Sequence, residues 1–248
     1  MMNAKRFTSL ALGISLVAHL GLAMANPTGN VYTANERASS ISQVRVFDLE
    51  QRIELPGIPT GRYAHGLHLS PNDHTLYVAN MKSNSVSVID VATLKETAQI
   101  PVGQNPVQIG STPDGRLAFV SLSAANQLGF IDTTERKVIG KVDVGRTPIQ
   151  MMATVDGREV YVANQGSSQD PDDSVSIVDP LTRSSIGTVT TGKGAHGVAI
   201  STDGAYVFVS NIEAGTVSVI DTNSRKVVDT HKVGAGPNGI SFKPSSAQ

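Results

Sequence analysis

Short apolar runs alternate with turn residues through most of this chain. The segment "LYVAN" at 76–80 is followed by "VSVID" at 86–90, and the turn "PND" at 71–73 precedes both. The same order returns three times, with the runs "AFVSL", "VYVAN" and "VFVSN" in the place of "LYVAN". Runs of about five residues that are rich in Val, Ile and Tyr and bounded by Gly, Asp or Asn predict β-strands joined by tight turns.

The pattern forms a repeat of about 42 residues. Each repeat starts at a glycine, here called an anchor glycine, and these are Gly61, Gly103, Gly145, Gly192 and Gly234. The steps between them are 42, 42, 47 and 42 residues, and the longer step contains an insertion around "SSQDPDD" at 167–173. Four short strands in one repeat make a small sheet with two apolar faces, which has to pack against other sheets. A ring of such sheets is a β-propeller, so we predict an all-β propeller.

Five blades are predicted, one of them divided between the two ends of the chain. The complete blades lie at about 57–101, 102–143, 144–190 and 191–232. Residues 233–248 match a first strand, and 31–56 match strands two to four. Joining them into a fifth four-stranded blade closes the ring and removes exposed strand edges. The alternative is an open arc that a second copy completes, but the complementary ends favour a closed monomer.

These repeats carry a resemblance to a known family. The succession "PDG", "YVAN" and "VSVID" resembles the YVTN-type β-propeller repeat over nearly all of the chain after residue 26. Related repeats occur in exported bacterial proteins, in surface-layer proteins and in the propeller of haem-containing nitrite reductase. The resemblance implies the fold and an exported location. It implies no single reaction, and the family's usual seven blades exceed the five predicted here.

The N-terminus has the features of a secretory signal peptide. Lys5 and Arg6 precede an apolar run from about Leu10 to Leu22, and Ala23-Met24-Ala25 forms a cleavage pattern. We therefore predict residues 1–25 as a signal peptide, residues 26–248 as one domain, and a periplasmic or secreted location. The apolar run is shorter than the roughly 20 residues of a spanning helix, and no membrane span is expected.

The composition of the chain and the motifs it lacks exclude several kinds of functional site. The chain has no cysteine, which excludes disulfides, thiolate metal sites and covalent c-type haem. Without Lys5 and Arg6 it carries 18 basic and 21 acidic side chains, so nothing draws it to nucleic acid. The sequence also lacks the G-x-S-x-G, H-E-x-x-H, P-loop and dinucleotide motifs, which makes an enzyme the less favoured reading.

Departures from the repeat single out one mouth of the central channel. The fourth residue after each anchor glycine begins the innermost strand, and these residues are His65, Val107, Ile149, His196 and Asn238. The residues that follow them are Gly66, Gln108, Gln150, Gly197 and Gly239. If the split blade closes the ring, His196, Asn238 and His65 lie on consecutive blades. We predict a ligand site formed by this arc with Gln108 and Gln150, where the glycines let a ligand approach the backbone.

Two other interpretations of the same position stay open. The position can simply tolerate small polar groups that bond to neighbouring strands. A metal site on His65 and His196 is weaker, because zinc and copper take three or four protein ligands and the extra candidates are only Tyr63, His68 and Met152.

The three Asp of the loop at 166–174 suggest calcium, but the loop lacks an EF-hand pattern and is more typical of a solvated segment.

The sequence therefore favours a non-enzymatic binding or scaffold module for a protein, peptide or small ligand. It requires no cofactor. The alternatives are an enzyme of the propeller lactonase or lyase type, and a metal- or haem-binding propeller that uses His65 and His196. No carboxylate stands beside these histidines in the sequence, which makes the enzyme the less favoured alternative.

Overall fold

The computed structural model describes residues 29–34 and 42–244. The predicted signal peptide and its cleavage site lie outside these residues. Within the described ranges the secondary structure consists of strands, and no helix there is long and apolar enough to cross a membrane.

The strands form five sheets, each a meander of antiparallel neighbours. The first sheet contains β1 (Asn30–Ala34), β2 (Gln43–Asp48) and β3 (Ile53–Pro59). The second contains β4 (Ala64–Leu69), β5 (Thr75–Asn80), β6 (Ser85–Asp90) and β7 (Lys95–Pro101). The third contains β8 (Pro106–Ser111), β9 (Leu117–Leu122), β10 (Gln127–Asp132) and β11 (Lys137–Asp143). The fourth contains β12 (Pro148–Ala153), β13 (Val160–Asn164), β14 (Ser174–Asp179) and β15 (Ser184–Thr190), and the fifth β16 (Ala195–Ile200), β17 (Tyr206–Asn211), β18 (Thr216–Asp221) and β19 (Lys226–Lys232).

The core lies between the sheets rather than within one of them. One apolar cluster joins the β1–β3 sheet to the β4–β7 sheet, and three more join each later sheet to the next. Central strands are therefore buried on both faces; β13, for example, is buried at all five of its residues. This packing order is that of a propeller, and the predicted fold class, an all-β propeller of five blades, is confirmed.

The aspartates that end the third strands belong to this architecture. Asp90 Oδ1 accepts the backbone N–H of Thr93 at 2.7 Å, and Asp221 Oδ1 accepts that of Ser224 at 2.7 Å. The hydroxyls of the same two residues bond to these carboxylates and, with the backbone bonds, lower the pKa of both aspartates. These residues stabilise the outer turns and do not form a site.

The blade shared between the two ends is only partly formed as strands. Strands β1, β2 and β3 supply its second to fourth positions, as predicted, but residues 233–244 form no strand although all of them are described. Val233 N–H donates to Gly215 O at 3.0 Å, and the rings of Phe208 and Phe242 stack with centroids 5.4 Å apart. The C-terminal segment thus follows the β16–β19 sheet. Its pairing with β1, and ring closure through that pairing, stay predictions.

The start of the C-terminal segment repeats features of blades that do form a first strand. Gly234 and Gly236 have positive φ angles of 118° and 69°, as Gly103 and Asn105 have before β8, and Pro237 corresponds to Pro106. These features therefore do not explain the missing ladder.

Candidate functional site

Every complete innermost strand contains a β-bulge at the position that the sequence singles out. In β4 the register passes from Ala64 opposite Asn80 to Leu67 opposite Val78, so that two residues stand opposite one. The same shift occurs in β8, β12 and β16. The bulged pairs are His65–Gly66, Val107–Gln108, Ile149–Gln150 and His196–Gly197. A bulge leaves backbone groups outside the ladder and re-aims side chains, so these positions are available for contacts between blades.

His65 uses its bulge to reach the next blade. Its Nδ1 lies 3.0 Å from the carbonyl oxygen of Val107, the bulge residue of the following sheet. A carbonyl only accepts, so Nδ1 of His65 carries the proton and donates. The residue as a whole is exposed at the rim.

His196 makes the same bond in the last complete blade. Its Nδ1 lies 2.7 Å from the carbonyl oxygen of Asn238 and donates to it. The half-buried imidazole has a lowered pKa, first because of burial and then because of the charge of His65, although the bond to Asn238 opposes the shift. His196 is therefore neutral at pH 7, with its lone pair on Nε2.

Serine hydroxyls make similar bonds. Ser121 Oγ donates to the bulge carbonyl of Ile149 at 2.8 Å, and Ser210 Oγ, in the same sheet as His196, reaches Asn238 O at 3.4 Å. The shared feature is a backbone carbonyl, four residues after an anchor glycine, that accepts a side-chain donor from the preceding blade. The likeness of the two "AHG" segments therefore has an architectural cause, namely a bond between blades that Nδ1 of each histidine makes.

The glycines beside the histidines have a different purpose from the one expected. A Cβ at Gly66 would lie 2.4 Å from Val107 O, and one at Gly197 would lie 2.8 Å from Asn238 O. Both glycines thus make room for the backbone of the next blade, and a ligand has no access to that space. Gly239 differs, because a Cβ there would meet nothing within 4 Å.

The two glutamines also connect blades. The Gln108 side chain occupies the space in front of Gly66, and its Oε1 accepts the N–H of Ile109 at 3.3 Å. Gln150 Oε1 accepts the N–H of Val198, in the following sheet, at 3.4 Å. Both side chains are half-buried. Each side chain therefore contacts an innermost strand of another sheet.

The extra metal candidates do not join the two histidines. Nε2 of His68 bonds to Ser111 Oγ at 2.8 Å, between the blades, and burial lowers the pKa of this histidine. Met152 lies beyond the bulge near the end of β12, and the ring of Tyr63 packs under Lys82. In the described part of the chain, no three His, Asp or Glu side chains come together as a metal set.

The inserted loop at 166–174 is fixed by ion pairs to Arg146 and by hydrogen bonds of its own. Arg146 pairs with Asp170 and Asp172, and Asp172 also accepts the N–H of Ser174 at 2.9 Å. Gly166 and Pro171 form an isolated bridge that closes the loop. These carboxylates are occupied by protein donors, which agrees with a structural loop.

Sequence reasoning did not identify the bulges or the hydroxyl donors. The signal was present, because serine replaces alanine one place before the end of the second strand at Ser121 and Ser210, whereas Ala79 and Ala163 stand there in the other blades. The fold explains why this difference matters, since these hydroxyls face the next bulge.

Family models match two overlapping parts of the chain. The model of the cytochrome D1 heme domain matches residues 113–235, and that of the YNCE-like beta-propeller matches residues 42–159. Each match covers slightly less than half of the chain. No curated protein matches it.

Solved structures share the fold at low sequence identity. Hydrazine synthase of Kuenenia stuttgartiensis superposes with a TM-score of 0.66 at 24% identity, over 69% of this chain and 49% of that chain. A functionally unknown protein from Desulfotomaculum acetoxidans DSM 771 superposes with a TM-score of 0.70 at 21% identity, over 85% and 70%. This chain spans about half the length of the hydrazine synthase chain, and at these identities the likeness concerns the fold. The chain is an all-β, five-bladed propeller that resembles the YVTN-type β-propeller repeat family.

Proposed function

We propose that this protein is an exported, non-enzymatic binding propeller. Its ligand or partner binds at the channel mouth where the bulges of the innermost strands converge. The residues of the mouth site are His65, His196, Asn238, Gln108 and Gln150. The observation that carries the proposal is the fixed orientation of His196, whose Nδ1–H is committed to Asn238 O, so that its Nε2 is the acceptor or ligand atom.

The surrounding chemistry supports binding rather than catalysis. The five side chains are imidazoles and amides, and the set contains no serine, cysteine, lysine or carboxylate that would act as a nucleophile. The side-chain groups that bridge the bulges hold the mouth rigidly, and a rigid site loses little entropy on binding. The open space at Gly239 lies one residue after Asn238, beside this acceptor.

A melting-temperature screen against small polar compounds and divalent metal ions tests the proposal. The variant is His65→Gln/His196→Gln, and His231→Gln, on the exposed outer strand β19, is the control. Each protein is compared with its own ligand-free melting temperature, because the double variant also loses two bonds between blades. We expect at least one compound to stabilise the wild type and the control but not the double variant. Equal stabilisation of all three by every compound that binds would refute the mouth site.

A second candidate function is haem binding, which the match of residues 113–235 to the cytochrome D1 heme domain favours. The chain offers a fitting donor, because Nε2 of the neutral His196 is an imidazole nitrogen that would be able to coordinate haem iron. Bound haem would supply redox chemistry, while His196 would hold the iron. Titration with haemin tests this by the Soret band. A shifted band in wild type and in His231→Ala, lost in His196→Ala, would support haem, and an identical spectrum in all three would exclude a role for His196.

The proposed setting is the periplasm or the medium, after cleavage near Ala25, as a monomer that binds neither nucleic acid nor membrane. The resemblance to exported propellers and the N-terminal segment support the location. Mass spectrometry of the secreted protein, with light scattering for its size, checks both statements. A mass that includes residues 1–25, or an obligate dimer, would contradict them.

A further inference from the structure

Two neighbouring cations mark one part of the rim beside His65. Arg62 follows its anchor glycine, and Lys82 lies in the next loop on the same face of the propeller. The Arg62 guanidinium donates through Nη2 to the carbonyl oxygen of Lys82 at 3.4 Å, which holds the two cationic residues together. Both are exposed, and among the ion pairs of the described residues neither has a carboxylate partner.

The equivalent position in another blade shows the contrast. Arg146 also follows an anchor glycine, but Asp170 and Asp172 of the inserted loop neutralise it. The blade that carries Arg62 has no such loop. Two cations on neighbouring loops without a carboxylate partner attract an anion.

Tyr63 provides a fixed platform between these cations. Its φ of 63° lies in the left-handed region, as do the φ angles at the equivalent positions of the other repeats, which are Asn105, Thr147, Gly194 and Gly236. The repeat therefore imposes this conformation, and in this blade it places an aromatic ring beside Lys82. The Nζ of Lys82 stands 4.7 Å from the centre of the tyrosine ring, so the ring orients the ammonium group.

Backbone bonds make this loop rigid before any ligand arrives. Arg62 N–H donates to Ser83 Oγ at 2.7 Å, and Tyr63 N–H donates to Ser42 Oγ at 2.9 Å. Met81 N–H in turn donates to Tyr63 O at 3.0 Å. The cations therefore project from a preorganised frame that leads directly into Ala64 and His65 at the start of β4.

We propose that the ligand of the channel mouth is an anion whose carboxylate or phosphate group is bound by Arg62 and Lys82. This inference rests on the proposed function and adds the ligand class to it. Arg62 supplies a planar donor pair and Lys82 a point charge, which together suit an oxyanion. The neutral imidazole of His196 then accepts a hydrogen bond from the uncharged part of the ligand, for instance from a hydroxyl group.

Chemical-shift titrations of the ¹⁵N-labelled full domain with inorganic phosphate and with malate test the inference. The variant is Arg62→Gln/Lys82→Gln, and Arg116→Gln/Lys137→Gln, which removes the same charge from other exposed sites, is the control. We expect one of the two anions to shift the amide signals of Tyr63 and Lys82 in the wild type, with roughly tenfold weaker binding in the variant and unchanged binding in the control. Malate alone would identify an organic acid, and phosphate binding without malate binding a phosphorylated ligand.

Two results would overturn the inference. One is that neither anion shifts the rim signals, and the other is that both double variants bind equally well, as for a diffuse charge effect. The His196→Gln variant separates this inference from the proposed function. If another ligand of the mouth depends on His196 while no anion binds, the binding propeller stands and the anion class is wrong. If anions bind at Arg62 and Lys82 but no ligand depends on His65 or His196, the proposed mouth site fails.

Discussion

Replacement of Gly66 by alanine should separate two neighbouring blades. A Cβ at Gly66 would lie 2.0 Å from Gln108 Oε1, 2.4 Å from Val107 O and 2.7 Å from Gln108 Cα. The glutamine side chain can turn away, but the other two atoms are backbone of β8 and cannot move alone. The inserted methyl group must therefore push β4 and β8 apart and weaken the bond between His65 and Val107.

The size of the effect follows from this overpacking. Extra methyl groups in a well-packed region cost about 1–3 kcal/mol. Each kcal/mol corresponds to about 2–4 °C in a domain of this size, so we expect the melting temperature to fall by about 2–12 °C. Differential scanning calorimetry of the purified domain measures the fall.

The repeat provides matched controls at the same position. Gly239→Ala meets nothing within 4 Å and should leave the melting temperature unchanged. Gly197→Ala meets Asn238 O at 2.8 Å, but that atom belongs to a segment without ladder bonds, which can yield, so a smaller loss than for Gly66→Ala is expected. Equal melting temperatures for the three alanine variants would refute the explanation of these glycines by close packing between blades.

Three further changes have expected outcomes. Tyr161→Phe removes the bond from the hydroxyl of Tyr161 to the carboxylate oxygen Oε2 of Glu159, and urea unfolding should show a loss of about 1.5–3 kcal/mol. An unchanged midpoint would show that this bond contributes nothing. The pKa of Asp114 is lowered, chiefly by the hydroxyl of Thr112, so the stability that Asp114 contributes is present above pH 3.8 and is lost as the pH falls through the lowered pKa. Asp114→Asn should therefore make the loss of stability at acid pH less steep, as followed by circular dichroism. An acid unfolding curve identical to that of the wild type would contradict this. Burial lowers the pKa of His68, so the stability that the neutral imidazole contributes is present above pH 6.5 and is lost as the pH falls below that value. His68→Gln should therefore reduce the difference in melting temperature between pH 7.5 and pH 5. An undiminished difference would rule out His68 as a cause of the pH dependence.

The fold could be predicted from the sequence because the same pattern of turns and strands occurs in every blade. Each blade carries the same turns and apolar runs, and small sheets with two apolar faces have few ways to bury them. The end of the chain was less predictable. Residues 233–244 match the first-strand pattern but form no strand, whereas the bonds from His196 and Ser210 to Asn238 O are made. These bonds join residues that are close only once the chain has folded.

The candidate site illustrates a limit of reasoning from departures in a repeat. Histidine replaces valine or isoleucine at two of the bulges, and this difference marks both residues as unusual. The structure assigns one nitrogen of each ring to architecture, because a serine of another blade bonds to an equivalent carbonyl without any imidazole. The role of Nδ1 in each ring is therefore structural. A serine hydroxyl would satisfy the same carbonyl oxygen, so this role alone does not require histidine. What the histidine adds at His196 is the second nitrogen, which the bond of Nδ1 to Asn238 O leaves as an acceptor, and the search for a ligand should concentrate on that atom and on the cations Arg62 and Lys82.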